Sequence, residues 1–487
     1  MEAGLFRFLR FSLGLEGEVK GLLDGRKGCF DWEACYQFAK RQTLVGVLFD
    51  GIQRLPKELA PARPLLLRWL SDSESIRRRN MRMDRASAYI YNKVCAAGFR
   101  CCILKGQGNA LLYPHPSSRI PGDVDVWVMA NREELRHIAL SLTEGDGSSL
   151  QESLNHIGLT VHGVSVELHS TPALLNSPLH NSRLQKWLKR NADLQCSNRI
   201  ALPNNAGEVA VPTLSFNVIY QLCHLFHHCF YEGVGLRQIV DYYLVLKNTD
   251  FSGNTNGASG NTDCFSGNTD CDGVLSNTDF TDNTDCFSGN TDCDGVLSNT
   301  DFTDNTDRVD GNTDRWCFLS NTDCTDLTDR VDGKTRKHSC DSGDSCSSSL
   351  TTDSSGFMDG FVVTEKLSGL QEELKWLGLW EFAGAVMYVL REVMGLDEKR
   401  MICAPDERRG RLLLEEIMAG GNFGHYDERN HFGQGALWHN IQRFRRDWRM
   451  LRFYPSEALS EPLFRACHFL WRWKQKHTGK PKDHNRN

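Results

Sequence analysis

Two aspartates separated by one residue, Asp123 and Asp125, and a later glutamate, Glu167, are the residues of this chain best suited to chemistry. In Gly122-Asp123-Val124-Asp125-Val126-Trp127-Val128 the period of two predicts a strand. Both carboxylates then share one face, roughly 6.7 Å apart at the backbone, and the three valines turn to the other. Two anions so placed repel each other unless a cation lies between them. Magnesium favours hard oxygen donors and commonly binds one or two carboxylates together with substrate phosphates. Val164, Val166 and Leu168 alternate with Ser165, Glu167 and His169, which predicts a second strand carrying the third acid. Asp123, Asp125 and Glu167 are therefore expected to be both catalytic and metal-binding. Two Mg²⁺ ions about 3.5–4 Å apart would suit them, with Mn²⁺ as the alternative.

An Asp-x-Asp pair alone is usually a solvated strand edge, so its surroundings matter. A compact apolar run, Phe99 to Leu104, ends in Lys105-Gly106-Gln107-Gly108. Gly106 and Gly108 have no side chains, so backbone N–H groups there can approach phosphate oxygens closely. Arg119, just before the acidic strand, has the fork geometry to grip a phosphate bidentately. Lys105 reads equally well as a phosphate ligand or as a lysine closing a strand. His224, His227 and His228 lie at i, i+3, i+4 on a predicted helix, with Arg237 and Asp241 further on. That spacing admits zinc, but no fourth ligand can be placed.

These residues need a scaffold. The first 98 residues read as helices, with Leu5, Leu9, Leu13 and Leu15 opening an amphipathic run. A basic stretch (Arg77, Arg78, Arg79, Arg82, Arg85) reads as a solvated helix face, with nucleic-acid contact the minor reading. A helix is expected over Arg132 to Leu142, between the two alternating strands, and further helices from Pro212 to Leu246. Leu370 to Met394, Arg408 to Met418, His439 to Phe453 and Pro462 to Gln475 are helical in pattern, and a polar tail follows. The arginines of Arg443-Phe444-Arg445-Arg446 with Arg449 and Arg452 again read as a solvated basic helix before a nucleic-acid surface.

Composition separates one segment from the rest. Residues 248–360 hold about 22 Asp, no Glu and about 6 Lys or Arg, whereas the whole chain carries −6. The remainder is thus basic by about +10, which suits a polyanionic ligand such as a triphosphate. The 22 residues 261–282 recur unchanged at 283–304, the mark of a tandem duplication. So few aliphatic side chains cannot offset chain entropy, and a disordered insertion is expected. Asp292-Cys293-Asp294-Gly295 resembles part of a calcium loop but lacks a closing glutamate. Eight of the 18 cysteines fall in this segment and no CxxC occurs, which argues against a zinc ribbon or a thioredoxin motif. The run Leu5 to Phe11 is too short and charged for a signal peptide, and no window approaches the ~18 apolar residues of a membrane span. A reducing, cytoplasmic setting is expected.

The strings LKGQGNALLYPHPSSRIPGDVDVWV (104–128), VSVELH (164–169) and HLFHHCFYEGVGLRQIVDYY (224–243), with Gly420-Gly421-Asn422-Phe423-Gly424-His425, resemble the uncharacterised nucleotidyltransferase family of Bacteroidetes type. That family is a branch of the polymerase-β-like nucleotidyltransferase superfamily. The resemblance implies an α+β fold with a small mixed-sheet nucleotidyltransferase core; along the chain this gives a helical region at 1–98, the core with its following helices at 99–247, the disordered insertion at 248–360, a helical domain at 361–475 and a flexible tail at 476–487. It implies Mg²⁺-dependent transfer of a nucleoside monophosphate from a nucleoside triphosphate, with ATP the first guess. The acceptor hydroxyl could belong to a small molecule, a sugar, a protein or an RNA end. Asp123, Asp125 and Glu167 would be the acids. Lys105, Gly106, Gly108, Arg119, His224, Arg237 and Asp241 would line the nucleotide cleft. The family's superfamily usually has a Gly-Ser turn before the acidic strand, where this chain has Lys105-Gly106-Gln107-Gly108. The rival reading is a catalytically silent nucleotide- or partner-binding protein on the same fold, antitoxin-like or regulatory.

Overall fold

A computed structural model describes residues 2–17, 30–143, 150–251, 367–427, 429 and 436–478. The repeats, and with them the expected insertion apart from residues 248–251, lie outside the described residues, as do residues 479–487 of the expected tail. The N-terminal helices are α1 (Glu2–Ser12), α2 (Trp32–Arg41), α3 (Val45–Gln53) and the long α4 (Arg63–Ala96). The sheet region follows as β1 (Cys101–Leu104), the short α5 (Gly106–Ala110), β2 (Val124–Val128), α6 (Arg132–Leu142), β3 (Gln151–Glu152), β4 (His156–Val161) and β5 (Val164–His169). Then come α7 (Pro178–Ser197), a hairpin of β6 (Arg199–Leu202) and β7 (Gly207–Ala210), α8 (Leu214–Tyr231) and α9 (Leu236–Asn248). The C-terminal helices are α10 (Leu367–Trp376), α11 (Trp380–Met394), α12 (Glu407–Gly420), α13 (Ala436–Leu451) and α14 (Pro455–Thr478).

The five-stranded sheet has the order β1-β2-β5-β4-β3 and is mixed. β2 and β5 run parallel, while the β1–β2, β4–β5 and β3–β4 pairs are antiparallel. Val124, Val126, Val128, Val166, Leu168, Ile157 and Leu159 are buried. Alternation puts them on one face, which α4 and α6 cover. Helix α6 starts at a capping box, Asn131 with Glu134, and buries Leu135, Ile138, Ala139 and Leu142 at helical spacing. Helix α8 approaches the opposite face, where Phe216 stacks on Trp127 at 5.9 Å and on Trp187 at 4.6 Å.

The helical flanks share the sheet's core. Gln42 of the segment after α2 donates to Ile417 O at 3.1 Å and accepts from Leu236 N at 2.9 Å, tying three distant stretches together. Helix α4 opens with a proline in its first turn and fixes the loop ahead of β2. Its Asn80 amide donates to Ser117 O and Arg119 O, both at 2.8 Å, which satisfies carbonyls that would otherwise be buried unpaired.

Several elements differ from expectation. The single helix expected over 370–394 is two, because Gly378 takes φ +74° and a Cβ there would lie about 2.4 Å from the His180 ring. Pro462, expected to open the last helix, sits inside α14, which starts at Pro455. Helix α7 and strands β3, β4, β6 and β7 were not foreseen. No described helix is long and apolar enough to cross a membrane.

Candidate active site

The parallel register of β2 and β5 sets Asp125 directly beside Glu167 and Trp127 beside His169. Asp123 immediately precedes β2, two residues before Asp125 and therefore on the same side of the chain. The structure brings the three acids together: one carboxylate oxygen from each of Asp123, Asp125 and Glu167 lies within 4.8 Å of the others. Antiparallel β4 adds His156 opposite His169.

Cationic groups crowd this acid face. Lys105 Nζ is 2.9 Å from Asp125 Oδ2. His169 Nε2 is 3.0 Å from Asp125 Oδ1 and 3.2 Å from Glu167 Oε2. Carboxylates only accept, so Nε2 of His169 carries the hydrogen and shares it between the two. His156 Nε2 lies 3.6 Å from the second oxygen of Glu167. Lys105 has φ +50°, in the left-handed region, at the point where β1 turns into α5. That costly conformation for a lysine carries its ammonium back toward Asp125.

The carboxyls titrate apart. Burial, and then the charges of Asp125 and Glu167, raise Asp123 to about 7. Asp125 is subject to burial as well, but the Lys105 charge and the His169 hydrogen bond hold it well below the usual range. Burial also acts on Glu167, and the His169 hydrogen bond outweighs it and lowers its pKa. His169 itself, against the effect of burial, is raised to about 9 by hydrogen bonds to Asp125 and Glu167. Two carboxylates are thus compensated, whereas at Asp123 the Lys105 charge and a backbone hydrogen bond are outweighed. Three hard oxygen donors with a surplus of negative charge fit a divalent cation such as magnesium.

The histidines of α8 extend the site from Lys105. His224 Nε2 lies 3.2 Å from Lys105 Nζ and 2.8 Å from His228 Nε2, and His228 Nδ1 is 3.1 Å from Glu232. An ammonium cannot accept, so His224 Nε2 accepts from it and the ring is neutral. Burial, then the charges of Lys105 and His228, push the His224 pKa well below its ordinary value. The α8 histidine triplet is not one of the side-chain groups that could hold a metal among the described residues.

Other expected residues are placed differently. Arg119 is buried, and its fork grips Asp241 rather than open space: Nε to Oδ1 at 2.8 Å and Nη2 to Oδ2 at 2.7 Å. Tyr113 donates to the same Asp241 at 2.7 Å. Arg237 donates to Ile120 O at 3.0 Å, so it braces the loop that leads into Asp123. Arg119 Nη1 and Arg237 Nε are buried without a partner. Gly106 and Gly108 form part of the helical turn α5 instead of an open loop. A Cβ on Gly108 would come within 3.2 Å of Val211, so that glycine allows close packing against β7's end. His169 and His156 were missed as site residues. For His169 the signal was available, since it continues the alternation that carries Glu167.

Residues 28–256 match the family model described as uncharacterised nucleotidyltransferase. Among solved structures the chain is similar to an antigenic nucleotidyltransferase-like protein from Paracoccidioides brasiliensis, with 15% identity and a TM-score of 0.23. That alignment covers 34% of this chain and 76% of the fungal one. No curated protein matches the chain. The match to this family model spans 28–256 and so contains the entire acid face.

Proposed function

We propose that this protein is a Mg²⁺-dependent nucleotidyltransferase that moves a nucleoside monophosphate from a triphosphate to an acceptor hydroxyl. The observation that supports the reading is the meeting of Asp123, Asp125 and Glu167 on one sheet face, with burial and the two neighbouring carboxylates outweighing the Lys105 charge at Asp123. These three acids would hold the divalent cation. Bound there, it would screen the phosphate charge and lower the pKa of the acceptor hydroxyl.

The chain's own residues set the geometry. His169 aligns Asp125 and Glu167 through its shared N–H. Lys105, leaving Asp125 for an incoming phosphate oxygen, would deliver its positive charge to the triphosphate, and neutral His224 would receive and steer the ammonium. Arg119, Asp241 and Arg237 would hold the 119–122 loop, and thereby Asp123, in place. Catalysis by such a site is mainly positioning and charge stabilisation.

A second reading, a catalytically silent nucleotide- or partner-binding protein, draws on one observation: both Asp125 oxygens already have cationic partners. One experiment separates the two. The full chain with Mg²⁺ is given each of four radiolabelled triphosphates and a lysate as acceptor source. The enzymatic reading expects pyrophosphate release and a labelled product, both lost in Asp125→Ala. Triphosphate binding that survives Asp125→Ala, with no pyrophosphate at any time, would establish the silent binder.

A further inference from the structure

Glu167 has a second set of neighbours that the transfer reaction does not call for. His156, Glu167 and His169 offer one ligand atom each, all within 4.8 Å of one another. We propose that these three residues form a second, overlapping mixed nitrogen–oxygen site for a divalent ion of the Zn²⁺ or Co²⁺ class.

The fold places them there for a backbone reason. Glu167 and His169 are i and i+2 on β5 and so project from the same face. His156 is the antiparallel partner of His169 on β4, and cross-strand partners share a face. Gly158, the partner of Glu167, adds no side chain to that face. Two imidazoles and a carboxylate thus converge from adjacent strands without any loop having to order.

The spacing admits a small ion. Glu167 Oε2 lies 3.2 Å from His169 Nε2, and its other oxygen, Oε1, lies 3.6 Å from His156 Nε2, so each imidazole meets its own carboxylate oxygen. One ligand atom from each residue falls within 4.8 Å of the others, and ligands about 2.0–2.1 Å from a zinc ion stand about 3.3–3.4 Å apart, so a small closure would seat the ion. Imidazole nitrogen favours Zn²⁺, Co²⁺, Ni²⁺ or Cu²⁺, whereas Mg²⁺ prefers oxygen, so donor type separates this site from the aspartate pair. Side chains of His156 and Glu167 are 24% and 16% exposed, which leaves room for water to complete the coordination. Three protein ligands with an open position are the usual pattern for an accessible zinc site, whereas a purely structural site is closed.

The two sites are coupled because they share Glu167. An ion on the histidine side would take Glu167 Oε atoms and the Nε2 that now serves Asp125. Transition-metal occupancy would therefore oppose Mg²⁺ loading of the acids; that opposition rests on the proposed function, but the ion's binding does not.

The test is a Co²⁺ titration of the metal-free full chain, read by visible d–d absorption as the difference between wild type and His156→Gln. Taking that difference removes thiolate signals from the free cysteines, which both proteins share. We expect wild-type bands of four- or five-coordinate Co²⁺, displaced by stoichiometric Zn²⁺ but retained in large Mg²⁺ excess. His156→Gln should weaken Co²⁺ at least tenfold, while Asp123→Asn should leave the bands in place. Circular dichroism and a melting curve establish that His156→Gln is folded, and His156→Asn gives an independent repeat. A zero difference spectrum, or bands erased by Mg²⁺ as readily as by Zn²⁺, overturns the proposal. Cobalt bands in the Co²⁺-loaded chain, with no pyrophosphate release from a separate Mg²⁺-loaded sample, would sink the transfer reaction and leave this site standing; release from the Mg²⁺ sample with no bands in the Co²⁺ sample would do the reverse.

Discussion

Two buried clusters of opposite charge lie near each other in this protein, and they are built on different principles. Around Asp241, every oxygen has a partner: the Arg119 fork takes both, and Tyr113 adds a third hydrogen bond. Burial acts on Asp241, but the Arg119 charge overrides it and lowers its pKa. On the sheet face, three carboxylates face one lysine and one shared imidazole N–H, and Asp123 is raised to about 7. The first cluster is a brace. The second holds repulsion that the fold alone does not relieve, and such imbalance is what a cation-binding site requires before its ion arrives.

The contrast can be broken by mutation. The largest loss of stability is expected at the brace. Asp241→Ala leaves a buried guanidinium without its partner, a change that commonly costs about 3–5 kcal/mol. Urea melts of the full chain should show it as a much lower midpoint. If Asp241→Ala melted like wild type, the brace would be no brace.

Asp123→Asn should do the opposite in metal-free buffer. Its folded pKa is raised above the unfolded value of about 3.8, so the folded state holds the proton more tightly. Stability is therefore lost as pH rises from about 4 through about 7. At pH 8 the variant should melt above wild type, and at pH 4 the two should coincide. A lower melting temperature at pH 8 would mean that the acids do not repel.

A smaller effect is expected at His227. Burial, and then the His228 charge, lower its pKa to about 4, so the unfolded state takes the proton first. Its share of stability is present above about 6.5 and disappears as pH falls to about 4. His227→Gln should flatten that limb of a melting-temperature-against-pH curve; an unchanged limb would assign the acid sensitivity elsewhere. The smallest effect belongs to Gly108→Ala. Its new methyl would press on Val211 at 3.2 Å and cost on the order of 1 kcal/mol by tight packing, with triphosphate affinity unchanged. Lost affinity with intact stability would return Gly108 to phosphate binding.

Much of the acid face was legible in the sequence because strand alternation is a local signal. Val124, Val126 and Val128 state which way Asp123 and Asp125 point, and Val164, Val166 and Leu168 do so for Glu167. That β2 and β5 would be parallel neighbours, with Asp125 level with Glu167, is a long-range fact that neither strand carries alone. The partner of Arg119 was hidden for the same reason. Its residue type suits phosphate equally well, and its actual partner stands 122 positions away on α9. Strand β4 has the same alternation, Ile157, Leu159 and Val161, but polar neighbours and Gly158 dilute it. Pro462 gave a false start because a proline usually opens a helix, whereas α14 carries it in its interior.

The central claim is that the Asp123–Asp125–Glu167 face holds a divalent cation. Mn²⁺ binding to the full chain, followed by electron paramagnetic resonance of the free ion, tests it with no acceptor needed. Saturable binding is expected, competing with Mg²⁺ and weakened at least tenfold in both Asp123→Asn and Asp125→Asn. Equal Mn²⁺ affinity in wild type and both variants would contradict it.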